Sequence, residues 1–191
     1  MNYLAHLYLA GDSQESILGN FLGDFVKGSA IHCYSQGIQQ GIKQHRKIDA
    51  FTDSHPVFID SKRLISQSNR RYAGILVDIF YDHFLATQWE TYSAIPLNKF
   101  TIEFYKLLED SENILPESLK RVLPRLKHEN WLMSYGDVQG INQTFHRLAL
   151  RIKRENNVKD AVKDLTYNYQ YFKSNFKEFF FDLMAYNQTL K

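Results

Sequence analysis

The run Ile75-Leu76-Val77-Asp78-Ile79-Phe80-Tyr81-Asp82-His83-Phe84-Leu85 is apolar on almost every side, yet it carries two aspartates and a histidine. It shows no strand-like alternation. From about Tyr72 to Trp89 the segment reads as a central helix buried all round. Asp78 and Asp82 stand one helical turn apart, so they share a face of that helix. A lone ionised carboxylate among such neighbours is expensive. An ion pair within Asp82-His83 would leave Asp78 in need of its own partner, whereas a metal ion would satisfy all three. Both readings stand at this point.

Helical periodicity continues on either side. A short apolar helix is expected over about Asn2 to Ala10, with a break at Gly11-Asp12-Ser13. Asp12 or Ser13 then caps a helix through Ile17, Leu18, Phe21, Leu22 and Phe25 that ends near Gly28. A third helix runs from near Ser35 to Thr52, and Pro56 opens a fourth. Downstream, Pro96 starts a helix with Phe100, Phe104 and Leu107 at helical spacing. Pro116, Pro124 and Gly136 punctuate the next stretch of chain. Val138 to Arg154 forms another helix. Asn156-Asn157 breaks the chain before a long aromatic helix from about Lys159 to Tyr186, whose Phe172, Phe176, Phe179, Phe180 and Leu183 make a packing face. The expected architecture is an all-α, single-domain bundle of about seven to nine helices spanning residues 1–191.

Bulk properties agree with one soluble domain. The chain has 191 residues, 44% hydrophobic and 23% charged, enough for a single core. A net charge of +2 gives no case for nucleic acid as a partner. One cysteine, Cys33, excludes an intrachain disulfide and a cysteine-only zinc site. The first ten residues lack a basic leader, and no stretch approaches a membrane span. The expected location is the cytoplasm, with no membrane partner. Oligomeric state is not legible.

Metal-type ligands occur in four places. They are His6 in the first helix, Asp24 after Gly19 and Gly23, His45 with Asp49 one turn later, and Asp78 with Asp82 and His83. Mixed imidazole and carboxylate donors suit Mn²⁺, Mg²⁺, Fe²⁺ or Zn²⁺, and the oxygen-rich balance favours Mn²⁺. Such an ion activates water and clamps a phosphoryl oxygen. Each place also has a structural reading. His6 would be a core histidine, Asp24 a turn cap, His45 and Asp49 a solvated local ion pair, and Asp53-Ser54-His55-Pro56 turn chemistry.

Four segments stand in order: Met1-Asn2-Tyr3-Leu4-Ala5-His6, Gly19-Asn20-Phe21-Leu22-Gly23-Asp24-Phe25-Val26-Lys27-Gly28, Gly41-Ile42-Lys43-Gln44-His45-Arg46-Lys47-Ile48-Asp49 with Phe51-Thr52-Asp53, and Tyr81-Asp82-His83-Phe84-Leu85. Together with Trp89, Trp131-Leu132, Tyr135 and Arg151, they resemble the acyl carrier protein phosphodiesterase family over nearly the whole chain. The resemblance implies a divergent HD-type phosphohydrolase fold, a divalent metal with Mn²⁺ favoured, and hydrolysis of holo-acyl carrier protein to apo-protein and 4′-phosphopantetheine. It implies a metal and catalytic set of Asp24, His45, Asp49, Asp82 and His83, with His6 and Asp78 as weaker members. The usual HD order is not reproduced, because the adjacent pair here is Asp82-His83.

Arg46 and Arg151 are candidates to neutralise the phosphate. Arg121, Arg125, Lys127, Arg147 and Lys153 concentrate positive charge in the later half and would steer an acidic carrier protein. Two rival functions remain from the sequence. One is an HD-type phosphohydrolase acting on a nucleotide or other small phosphoester. The other is a non-catalytic helical binding module.

Overall fold

The computed structural model describes residues 1–190, and helices without any strand make up its regular structure among those residues. In chain order these are α1 (Tyr3–Leu9), α2 (Gln14–Leu22), α3 (Gln36–Ser54), α4 (Pro56–Arg63), α5 (Ala73–Thr87), α6 (Trp89–Tyr92), α7 (Leu97–Asp110), α8 (Glu117–Lys120), α9 (Leu123–His128), α10 (Trp131–Ser134), α11 (Val138–Arg151), α12 (Val162–Tyr167) and α13 (Tyr169–Gln188). Short 3-10 turns cover Gly28–Cys33, Arg70–Tyr72, Glu112–Ile114 and Val158–Asp160. The fold is all-α, as the periodicity indicates, but it has more and shorter helices than expected.

The apolar run becomes α5, and it is central. Leu76, Val77, Phe80, Tyr81, Phe84 and Leu85 are fully enclosed. Helices α1, α4, α11 and α13 all pack on α5. The Phe80 ring meets Phe172 and Phe145 edge-on at centroid distances of 5.0 and 5.6 Å, a favoured aromatic geometry. The buried Tyr81 hydroxyl lies 2.7 Å from Ser61 Oγ, itself enclosed. Its polar end is therefore paired inside the core.

Several caps and breakers act where the sequence places them, but not all. Ser13 accepts from the Ser16 N–H and caps α2, and Pro56 occupies the first turn of α4. However, α2 stops at Leu22, before Phe25. The N–H groups of Phe25 and Val26 both turn back to the Leu22 carbonyl at 2.9 Å, so Asp24 sits in a turn and not on a helix. The expected long last helix is likewise divided. At Asn168 (φ −110°, ψ 23°) the chain leaves α12 and re-enters as α13. Tertiary bonds hold that break: Asn168 Nδ2 donates to the Leu64 carbonyl, and Asp164 accepts from Ser66 and Asn69.

The most extensive helix contact is α2 against α3. Its closeness depends on two glycines. A Cβ on Gly19 would fall 2.3 Å from the Ile38 carbonyl oxygen, and one on Gly41 would fall 2.7 Å from that of Ser16. Only glycine permits this approach of backbones. One turn beyond each contact lie Gly23 and His45, which are thereby brought face to face.

Candidate metal centre

His45 is positioned by backbone on three sides. The crossing at Gly19 and Gly41 aims it at α2, and its ring fills the space that a Cβ on Gly23 would occupy, 2.2 Å from the ring. Its Nδ1 lies 2.8 Å from the Asn20 carbonyl oxygen. A carbonyl only accepts, so Nδ1 carries a proton and Nε2 is the atom turned to the centre. Asn20 is held in turn: its side-chain amide donates to Gln44, which donates to Leu9 O and Asn187. A half-buried chain of amides thus runs from α13 to His45, as supporting shells of metal ligands do.

His45 Nε2 meets two carboxylates, Asp49 Oδ2 at 3.0 Å and Asp24 Oδ1 at 3.7 Å. His6 arrives from α1, its ring stacked on that of His45 with centroids 3.7 Å apart. His6 Nε2 lies 3.1 Å from Asp49 Oδ1 and 3.1 Å from the Met1 carbonyl oxygen. His6, His45 and Asp49 each offer a ligand atom within 4.8 Å of the others. Both histidines are buried, whereas Asp24 and Asp49 reach the surface with side chains 45% and 39% exposed. The cluster therefore opens to solvent on its carboxylate side.

The charges of these groups are set by each other. Burial pulls His45 down, but hydrogen bonds and charge from Asp24 and Asp49 outweigh it and raise the imidazole to about 9. Asp49 is held well below its usual range: burial opposes ionisation, but hydrogen bonds from His45 and His6 and the nearby Met1 ammonium prevail. Asp24 is lowered, chiefly by His45 against the pull of burial. His6 is pushed down to about 4 by burial and is neutral near pH 7, the form that binds metal.

The donor set fits a divalent ion. It supplies two imidazoles and two ionised carboxylates at one opening, a mixture of nitrogen and oxygen ligands typical of first-row divalent metals. Binding at His6 Nε2 requires its proton to leave or move to Nδ1, which is buried with no partner. Binding at His45 requires loss of one proton.

The remaining expected ligands are elsewhere. Asp82 accepts the Leu4 and Ala5 N–H groups at 2.8 and 3.0 Å. Asn2, at the N-cap of α1, makes no side-chain cap of its own, so Asp82 caps α1 from a neighbouring helix. Burial pushes its carboxyl up to about 7, with the two amides pulling the other way. His83 Nδ1 lies 2.8 Å from Tyr135 O and Nε2 3.1 Å from Tyr169 Oη, so it faces α13 and stands apart from the cluster. Asp78 borders it. The Met1 ammonium lies 3.1 Å from Asp78 Oδ1 and 3.3 Å from Asp49 Oδ1. Asp78 and Asp82 do share a face of α5, and that face anchors the start of α1.

The basic residues also divide. Arg46 is exposed and donates to Val26 O at 3.1 Å, beside the Asp24 turn. Arg151 is exposed and lies over the Trp131 ring, 5.5 Å from its centroid. In contrast, Arg125 and Arg147 both pair with Glu129 at 2.7 and 2.6 Å, and Lys127 pairs with Glu109. Arg121 and Lys153 form no ion pair among the described residues. Sequence reasoning did not single out Asn20, Gln44 or Asn187. Ordinary amides carry no signal until the fold lines them up.

Among the described residues no helix is long and apolar enough to cross a membrane. The sequence model of the acyl carrier protein phosphodiesterase family matches residues 1–183. A protein from Photorhabdus laumondii named acyl carrier protein phosphodiesterase is 35% identical over 184 residues, covering 94% of this chain and 91% of its own. Relatives of the same name are 34% identical in Escherichia coli (94% of each chain) and 30% identical in Pectobacterium atrosepticum (99% of this chain, 98% of the relative). No solved structure gives a significant match. With a family match over nearly its full length and relatives of matching extent, this chain belongs to the acyl carrier protein phosphodiesterase family.

Proposed function

We propose that this protein hydrolyses the phosphodiester between 4′-phosphopantetheine and the carrier serine of holo-acyl carrier protein, using a divalent ion at His6, His45, Asp49 and Asp24. The observation that carries this reading is the convergence of those side chains at one solvent-facing opening. Family membership supports the reaction and the substrate. Mn²⁺ is favoured because two of the four side chains supply oxygen. When bound, the ion supplies Lewis-acid polarisation of a phosphoryl oxygen and of a water.

The chain's own groups do the rest. The Asn20 carbonyl keeps the His45 proton on Nδ1, so Nε2 stays turned to the opening. Asp24 is ionised and partly exposed; one of its oxygens would help hold the ion and the other would accept the proton of the attacking water. Arg46, beside the Asp24 turn, and Arg151, at the neighbouring cavity, neutralise charge as it develops on the phosphate. Asp82 acts through α1, holding the backbone that carries His6. The serine oxygen of the carrier leaves and takes a proton from solvent.

For docking an acidic carrier, the available cations are those without a carboxylate partner. Arg46 lies beside the Asp24 turn, Arg151 lines the neighbouring cavity, and Lys27, Arg121 and Lys153 form no ion pair among the described residues. Arg125, Lys127 and Arg147 are committed to Glu129 and Glu109. The single cysteine, Cys33, is exposed and free, which suits a reducing cytoplasm. The test is incubation of purified protein with holo-acyl carrier protein and Mn²⁺, read by intact mass. Conversion to the apo-protein mass is expected. A carrier that keeps its full holo mass contradicts the reading.

A further inference from the structure

A cavity is walled by α1, α5, α10 and α11, and of its lining the reaction proposed above uses only Arg151. It is about 70 Å³ and is lined by residues that include Tyr3, Ile75, Ile79, Trp131, Leu148 and Arg151. Its α5 wall continues the face that carries the aspartates. Ile75, Asp78, Ile79 and Asp82 fall one above another at helical spacing, so the two isoleucines share a face with Asp78, which meets the Met1 ammonium, and Asp82, which caps α1. Tyr3 joins the cavity to the metal centre. Its hydroxyl, pushed up to about 12 chiefly by burial, also feels the charges of Asp24 and Arg151.

Three features describe what this slot accepts. Ile75, Ile79, Leu148 and the Trp131 ring give it an apolar side, with Asn2, Tyr135, Thr144 and Arg147 also in its lining. Arg151, over the Trp131 face, sets a cation at its edge. Its volume suits a small branched group and not a long chain. Ile75 is 43% exposed, an isoleucine of the lining left open to solvent. A ligand matching this pattern has an anionic group next to a compact branched hydrocarbon. In 4′-phosphopantetheine the carbon bearing two methyl groups follows the phosphate ester by a single methylene, and the rest of the arm is polar and unbranched.

Resting on the function proposed above, we infer that the slot between Ile75, Ile79, Leu148 and Trp131 receives the dimethyl-bearing carbon of the phosphopantetheine arm, with its phosphate between Arg151 and the metal centre. The slot then confers specificity on the alcohol side of the phosphodiester. A phosphoserine diester with an unbranched alcohol would leave the apolar walls facing water, at a cost proportional to the unburied area.

The test compares binding of free 4′-phosphopantetheine and its analogue lacking both methyl groups. Both are measured by calorimetry on wild type and on Ile75→Ser, in the presence of Mn²⁺. Ile75 is partly exposed, so the variant should fold, and a thermal melt checks this. Wild type is expected to favour the dimethyl compound about tenfold, and Ile75→Ser to reduce that preference to about threefold or less. Equal binding by wild type overturns the inference, as does a preference that Ile75→Ser leaves intact. In both of those cases, turnover of holo-acyl carrier protein by wild type leaves the proposed function standing. Absence of that turnover removes the function, and the slot's assignment with it.

Discussion

The imidazole rings of His6 and His45 lie stacked, centroids 3.7 Å apart and planes 21° from parallel, between the Asp49 carboxylate and the α2 backbone. One ring comes from the first helix and the other from the third. Their stacking exists only because α1, α2 and α3 meet at one point. Near pH 7 His45 is cationic, with its imidazole raised to about 9, and His6, lowered to about 4, is neutral. A charged and a neutral ring coexist where two charged rings would repel.

His45→Ala removes a ligand and the partner of two carboxylates. Affinity for Mn²⁺ should fall by about a hundredfold or more, with the far-ultraviolet helical signal retained. Calorimetric titration with circular dichroism checks this. Affinity within a few-fold of wild type would take His45 out of the centre.

Gly41→Ala tests how the helix crossing places that ligand. Its Cβ would fall 2.7 Å from the Ser16 carbonyl oxygen and 2.8 Å from Gly19 Cα, so α2 and α3 must separate. A loss of about 1–3 kcal/mol is expected in urea melts, together with weaker metal binding. Unchanged stability would mean that the crossing tolerates a methyl.

Asp82→Asn separates capping from chemistry through pH. The folded-state carboxyl titrates at about 7, above the ordinary aspartate value of 3.8. The folded protein therefore binds that proton more tightly than the unfolded chain does. This contribution to stability is full below the unfolded value and is lost as pH rises through the folded one. Metal-free Asp82→Asn should thus gain on wild type by up to about 4 kcal/mol between pH 4 and pH 8. A fixed cost of about 1–3 kcal/mol accompanies it, because Asn accepts only one of the two α1 amides well. Paired urea melts across that range measure the difference. A difference independent of pH would show Asp82 ionised throughout.

Charge reversal at the free cations should affect carrier docking, and reversal at the paired ones should not. Lys153→Glu and Lys27→Glu should each lower kcat/KM for holo-acyl carrier protein several-fold at low salt, with the deficit shrinking as salt is added. Lys127→Glu, beside Glu109, should change stability more than kcat/KM. The opposite ranking would move the docking surface to α9.

Much of the fold was legible because local signals and tertiary packing agree. The apolar run around Phe80 is the central helix, Ser13 and Pro56 start helices where their chemistry predicts, and Gly136 marks a turn. The misses arise where tertiary bonds overrule the pattern. The last helix breaks at Asn168 because its side chain reaches Leu64, and α11 ends at Arg151, where Asn156 reaches back to the Ala149 carbonyl. The candidate site was half legible. His45 and Asp49 share a face at local spacing, so they read directly from the sequence. His6 joins them only through helix packing. Asp82 and His83 are neighbours in sequence, but consecutive helical residues point about 100° apart, so one reaches α1 and the other Tyr169.

Anomalous diffraction from crystals of the protein grown with Mn²⁺ is the sharpest check on the metal centre, because it locates the ion without reference to activity. One peak is expected at the solvent-facing opening, within coordinating distance of His6 Nε2, His45 Nε2 and an Asp49 oxygen, with Asp24 drawn in from the turn. A peak at Asp82 and His83, or none at the His6–His45 stack, would place the chemistry elsewhere and overturn the assignment.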